Sequence, residues 1–187
     1  MNMIIKQSKY RLDLSGSTVM EGEDLIKNAT YFDTVADYYD NADAARNLGH
    51  TESYRVCYAI GNRTSTDLYY GTTTIKPILI NGECNMTKGH FHEDPKYMEY
   101  YLCTRGTGYL LKWNGKSEIY AEEMKQGSLH YIDGRYAHRA INIGDDDLVF
   151  LAVDSATGGA KYELIQEEGF PVRCFKKDGK IIWKNNR

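Results

Sequence analysis

The 187-residue chain carries a formal net charge of −3, a balance that argues against nucleic acid or an acidic membrane as its main partner, because both demand a basic face. Its 42% hydrophobic and 12% aromatic residues suffice for a buried core, and three prolines without any repeat or low-complexity run leave no obvious linker. One domain over residues 1–187 is expected, with residues 1–50 as an extension before a body at about 53–175.

In chain order, Met1-Asn2-Met3-Ile4-Ile5-Lys6-Gln7 forms no apolar signal core, and no stretch approaches the roughly 20 apolar residues of a membrane helix. A cytoplasmic protein that binds small molecules is expected. A helix is predicted over 34–46, closed by Gly49, and a short second one over 161–168. Between them, residues 54–60, 68–80, 97–104, 109–113, 118–122, 129–132 and 148–153 are β-branched and aromatic runs broken by Gly, Asn and Asp, and so read as strands. Residues 135–142 form a further strand-like segment, while Asn114-Gly115 and Asp178-Gly179 are two-residue hairpin signals. Many short strands at this spacing predict an all-β fold, a double-sheet jelly-roll barrel with a short helical N-terminal extension, whose mouth can hold a ligand. Cys57, Cys84, Cys103 and Cys174 are scattered without any Cys-x-x-Cys pair and are expected as reduced thiols. Most of the sixteen tyrosines are expected to cover sheet surface with the ring while keeping the hydroxyl wet.

The chemistry concentrates in His90-Phe91-His92, followed after six residues by Glu99 and thirty-nine positions later by His138. On a strand His90 and His92 project from one face while Phe91 points away. Three imidazoles and a carboxylate on neighbouring strands would hold one divalent metal per chain and leave positions open for water or substrate. Fe(II), Mn(II), Ni(II) and Zn(II) all suit such donors, Fe(II) being the first expectation. Tyr97, two residues before Glu99, would share its face on a regular strand. His130 and His50, outside the cluster, are expected to be structural.

Together with Gly106, Gly127 and Asn142, these four residues resemble the two-part cupin signature. Thr87-Lys88-Gly89-His90-Phe91-His92, the longer spacer to Glu99, and Ala137-His138-Arg139-Ala140-Ile141-Asn142-Ile143-Gly144-Asp145 are similar to the cupin-type glucose-6-phosphate isomerases, a metal-dependent family of archaea and some bacteria. The resemblance runs from about Tyr54 to Phe170. It implies a homodimeric enzyme of glycolysis and gluconeogenesis that interconverts glucose 6-phosphate and fructose 6-phosphate. It assigns His90, His92, Glu99 and His138 to the metal, with Glu99 also catalytic. Tyr54, Thr73, Thr87, Gly89 and Tyr162 are implied at the substrate phosphate, with Tyr97 added from its position beside Glu99. Lys88 and Arg139 flank the histidines, and strand alternation would turn both outward.

The chain departs from the family where the isomerases carry Tyr-Pro-Ala-Asp-Ala-Gly-His-Asp-Tyr: here the run is Asp154-Ser155-Ala156-Thr157-Gly158-Gly159-Ala160-Lys161-Tyr162. A carboxylate at Asp154 about 5 Å from the phosphate would repel it by roughly 3 kcal/mol at an effective dielectric near 20. Lys161 could offset that charge, and Ala160 removes a histidine able to carry protons. Three alternatives therefore stand beside the leading one: a cupin isomerase of another sugar, an Fe(II) cupin oxygenase, and a non-catalytic sugar-binding cupin.

Overall fold

The computed structural model describes residues 3–59, 64 and 66–186. Strands β1 (Tyr10–Leu12), β2 (Met20–Gly22) and β3 (Leu25–Tyr31) precede helix α1 (Phe32–Val35), a 3-10 turn over Ala36–Tyr38, and helix α2 (Ala42–Asn47). The body follows as β4 (Glu52–Ala59), β5 (Leu68–Ile75), β6 (Leu79–Ile80), β7 (Glu83–Cys84), β8 (Phe91–His92), β9 (Glu99–Arg105), β10 (Thr107–Trp113), β11 (Ile119–Lys125), β12 (Leu129–Ile132), β13 (Ala137–Asn142) and β14 (Leu148–Ser155). Strand β15 (Ala160–Lys161), helix α3 (Glu163–Glu167) and the hairpin β16 (Val172–Lys177) with β17 (Lys180–Asn185) complete it.

The jelly roll is built on a six-stranded antiparallel sheet in the order β12-β9-β14-β5-β4-β3, apposed to the three-stranded sheet β11-β10-β13. Tyr54, Ile75, Tyr101, Cys103 and Phe150 of the larger sheet pack on Leu110, Met124 and Ala140 of the smaller one. The other face of the smaller sheet carries Leu111, Trp113, Ala137 and Ile141, which pack on Phe32, Tyr39, Ala45, Phe170 and Cys174. Strand β13 is therefore buried along its whole length. That position in the middle of two core layers fixes His138 to within the tolerance of a packed interior. Among the described residues the sheets remain separate ladders and do not close into one hydrogen-bonded cylinder. Among the described residues no helix is long and apolar enough to cross a membrane.

Several elements differ from their sequence-based expectations. The helix predicted over 34–46 is broken at Tyr39, whose backbone is extended (φ −98, ψ 151). Tyr39 is buried and its hydroxyl donates to Asn85 Oδ1 at 2.7 Å, so a tertiary bond overrides local helix propensity. Helix α2 restarts with Asn41 as its cap, accepting from Ala44 N. The expected strand over 68–80 stops at Ile75, since Pro77 donates no backbone hydrogen bond and Ile78 N turns back to Lys76 O. Asn114-Gly115 does not make a two-residue hairpin. Trp113 pairs with Ile119, and the Asn114 side chain closes the longer loop by accepting from Lys116 N and Glu118 N. Asp178-Gly179 does form the tight turn, with both residues at positive φ between Lys177 and Lys180. The strand expected over 54–60 is β4, with residue 60 lying outside the described residues. Helix α3 occupies the middle of the predicted 161–168 segment. The first fifty residues hold the helices and also β1 to β3, of which β3 forms an edge of the six-stranded sheet.

Asn85 joins these parts. It is fully buried, accepts from Tyr39 Oη, Ser53 Oγ and Met86 N, and donates to the carbonyls of Ser53 and Lys76. Asn85→Leu strands several buried polar groups at once and is expected to lower unfolding free energy by at least about 2 kcal/mol in a urea titration. A change within about 0.5 kcal/mol would show that the network is dispensable.

Candidate metal centre

The Thr87–His90 segment runs antiparallel to β13. His138 N donates to His90 O at 3.1 Å and His90 N to His138 O at 3.3 Å, which sets two imidazoles side by side. His92 follows on β8, while Phe91 turns the other way onto Trp113, as strand alternation requires. Glu99 is the first residue of β9, paired with Ile132. One potential ligand atom from each of His90, His92, Glu99 and His138 lies within 4.8 Å of all the others.

Their bonding is incomplete. His138 Nε2 is 3.0 Å and His92 Nε2 3.4 Å from Glu99 Oε2, close enough for ion pairing. Yet none of these three buried atoms, nor His138 Nδ1, has a hydrogen-bond partner of acceptable geometry. Leaving such groups unpartnered costs about 1–3 kcal/mol each, more where charge is involved, and a cation shared among them removes that cost. His92 Nδ1 lies 3.0 Å from the Tyr97 carbonyl; as donor to it, the ring turns its Nε2 lone pair towards the cluster. The donor set therefore fits a divalent metal.

Burial and the cluster's own members set its charges. Burial, reinforced by His138, pushes His90 down to about 3, so its imidazole is neutral at ordinary pH. Burial opposes charge on His92, but Glu99 outweighs it and the net shift is upward. Burial likewise opposes charge on Glu99, and His138 and His92 outweigh it, holding the carboxyl at about 2. The carboxylate is thus ionised and its neighbours are arranged to use its charge.

The cluster opens into a cavity of about 360 Å³, within the range of small-molecule sites. His90, Glu99 and His138 line it, together with Tyr54, Thr73, Thr87, Gly89 and Tyr162; His92 lies buried behind them. Tyr97 is not among the lining residues. Residues Asp94 to Tyr97 form a turn, with Tyr97 N donating to Asp94 O, and the strand begins only at Glu99, so the period of two does not extend back to Tyr97. Its contribution is the carbonyl that meets His92. Lys88, expected to face outward, lines the cavity, because Gly89 sits at φ +75 and breaks the alternation there. Tyr69 and Tyr101 also line it; Tyr101 could have been found from its position two residues after Glu99.

Asp154 lines the cavity as well, beside Tyr69 of the neighbouring strand. Burial and the nearby Glu99 push its carboxyl up to about 6. Ser155 N donates to its Oδ1 at 2.6 Å, and among the described residues no cation, Lys161 included, pairs with it. The remaining histidines do not line the cavity. His130 meets Glu122 and Ser128 in a network with the buried Lys112, and exposed His50 stacks on Tyr31 and meets Asp33.

A family model described as glucose-6-phosphate isomerase (GPI) matches residues 30–187. The glucose-6-phosphate isomerase of Thermococcus litoralis is 36% identical over 120 residues, covering 64% of this chain and 63% of that protein. That match spans a little under two thirds of the relative. The glucose-6-phosphate isomerase of Pyrococcus horikoshii is 27% identical over 184 residues, covering 94% of this chain and 96% of that protein. Among solved structures, the oxalate decarboxylase formate complex of Lactobacillus farciminis aligns with a TM-score of 0.48 at 21% identity, covering 59% of this chain and 31% of that one.

Purified protein is expected to hold about one divalent metal per chain by elemental analysis. His92→Ala and His138→Ala each delete a donor and should weaken metal affinity at least about tenfold. Unchanged affinity in both variants would show that the cluster binds no ion.

Proposed function

The chain belongs to the glucose-6-phosphate isomerase family, and from that premise we propose that it interconverts glucose 6-phosphate and fructose 6-phosphate with a divalent metal, Fe(II) first among the candidates. The observation that carries this reading is the set of unpartnered, buried His and Glu atoms opening into a cavity large enough for a hexose phosphate. When bound by His90, His92, Glu99 and His138, the ion supplies Lewis-acid polarisation of the sugar's C1 and C2 oxygens.

The chain's own residues do the rest. Thr73, Thr87, Tyr54, Tyr162 and the Gly89 amide offer donors for phosphate oxygens, and Lys88 adds the cavity's one lysine charge. The ring faces of Tyr69, Tyr101 and Phe150 cover the carbon chain and exclude water. Isomerisation moves hydrogen from C2 to C1 and the hydroxyl proton from O2 to O1. A carboxylate engaged by a metal ion accepts a proton poorly, which favours direct passage of the C2 hydrogen to C1 over an enediol route with Glu99 as base. Glu99 is catalytic on either route, as fixed negative charge or as proton carrier.

The same proposal carries a cytoplasmic location, a place in glycolysis and gluconeogenesis, and a homodimer. The outward sheet surface with exposed Tyr100, Leu129 and Tyr131 supports the last of these as the face to be covered.

The defining experiment is a coupled assay on metal-loaded protein without oxygen, with EDTA abolishing turnover and added Fe(II), Mn(II) or Ni(II) restoring it. Turnover only with oxygen present, or sugar binding without turnover, would replace the proposal by an oxygenase or a binding protein. Deuterium placed at C2 of glucose 6-phosphate should be retained at C1 of the product, and washout to solvent would return the proton-carrying role to Glu99. Asp154→Tyr removes a carboxylate from the cavity and adds a hydroxyl donor, so KM for glucose 6-phosphate should fall while metal content stays the same. An unchanged KM would show that Asp154 does not oppose the phosphate. Faster turnover of free hexoses than of their phosphates by the parent protein would assign it another sugar.

A further inference from the structure

Arg139 follows His138 on β13 and is 3% exposed. Among the described residues no carboxylate pairs with it, which is unusual for a buried guanidinium. It lies 4.5 Å from the centroid of the Phe170 ring, and its Nε and Nη2 both donate to the Lys88 carbonyl, at 3.2 Å and 2.5 Å. Two donors of a charged group thus converge on one peptide oxygen.

That peptide leads into the cavity. The Lys88–Gly89 bond is trans, so the Gly89 N–H points opposite to the Lys88 carbonyl. Thr87 N and His90 N, on either side, are bonded to Ala140 O and His138 O, while Gly89 N has no such partner among the described residues. Phe170 seals the far side. A Cβ on Gly89 would stand 2.7 Å from Phe170 Cε2, so only glycine lets the segment pack this closely. A charge-assisted bond to the carbonyl also polarises the amide and makes its N–H a stronger donor.

We propose that Arg139, from outside the cavity, is the positioning residue that holds the Lys88–Gly89 peptide with the Gly89 N–H turned towards the substrate phosphate. The inference rests on the proposed phosphate site at Gly89. The Arg139 guanidinium bonds to the Lys88 carbonyl and to none of the four metal-site side chains, so its effect is confined to the anion end of the substrate.

The test uses metal-loaded Arg139→Met and Arg139→Lys. In Arg139→Met, KM for glucose 6-phosphate and the calorimetric Kd for inorganic phosphate should each rise about tenfold, the loss of one strong hydrogen bond. The kcat and metal content should stay within about twofold of the parent. Arg139→Lys, keeping the charge but losing the second donor, should fall between. Parental KM and phosphate Kd in Arg139→Met, or equal losses of kcat and metal, would overturn the proposal. Should Arg139→Met fail to fold, Arg139→Lys decides: a raised phosphate Kd at normal metal content supports it, a parental value rejects it. The phosphate titration needs no turnover. An Arg139-dependent phosphate affinity in a protein that isomerises nothing would keep the positioning role and sink the reaction.

Discussion

The reciprocal backbone hydrogen bonds between His90 and His138 are the constraint on which the rest of the centre depends. They tie a short irregular segment to a strand buried at all six of its residues, and so bring together imidazoles that are 48 positions apart in the chain. Once His90 is fixed, alternation delivers His92 to the same side and Phe91 to the opposite core layer. Glu99 arrives from the other sheet, so the four donors span both halves of the jelly roll. A centre built this way is rigid because each ligand rides on an element packed for other reasons.

Much of this was legible in the sequence because a strand has a fixed period. His90, His92, Glu99 and His138 converge as alternation and strand pairing imply. The failures occur where the period does not hold. Gly89 at positive φ reverses the direction of Lys88, and the turn at Asp94 to Tyr97 keeps Tyr97 off the face of Glu99. The break in the predicted N-terminal helix came from Tyr39 reaching Asn85, a partner 46 residues away that no local pattern announces. The Asn114 loop failed for a smaller reason: its side chain accepts two backbone bonds and supports a longer turn than the dipeptide suggested.

The cavity is not a neutral container. Among the described residues, Glu99 and Asp154 place two carboxyls in it against the single Lys88, and no cation pairs with Asp154. Burial is the main push on Asp154, and a divalent ion at the four ligands would balance Glu99 and relieve the smaller part that Glu99 adds. On the proposed function, charge would divide the site into a cation end at the four ligands and an anion end at Lys88, the hydroxyls and the Gly89 amide. On the proposed function, Asp154 would tune how strongly that second end competes for a phosphate.

X-ray absorption on the metal-reconstituted protein reads the four-residue ligand set. A single site is expected, whose inner shell contains three imidazole nitrogens and at least one carboxylate oxygen, falling to two imidazoles in His138→Ala. A shell with fewer than three imidazoles in the parent protein, or one unaltered by His138→Ala, would contradict it.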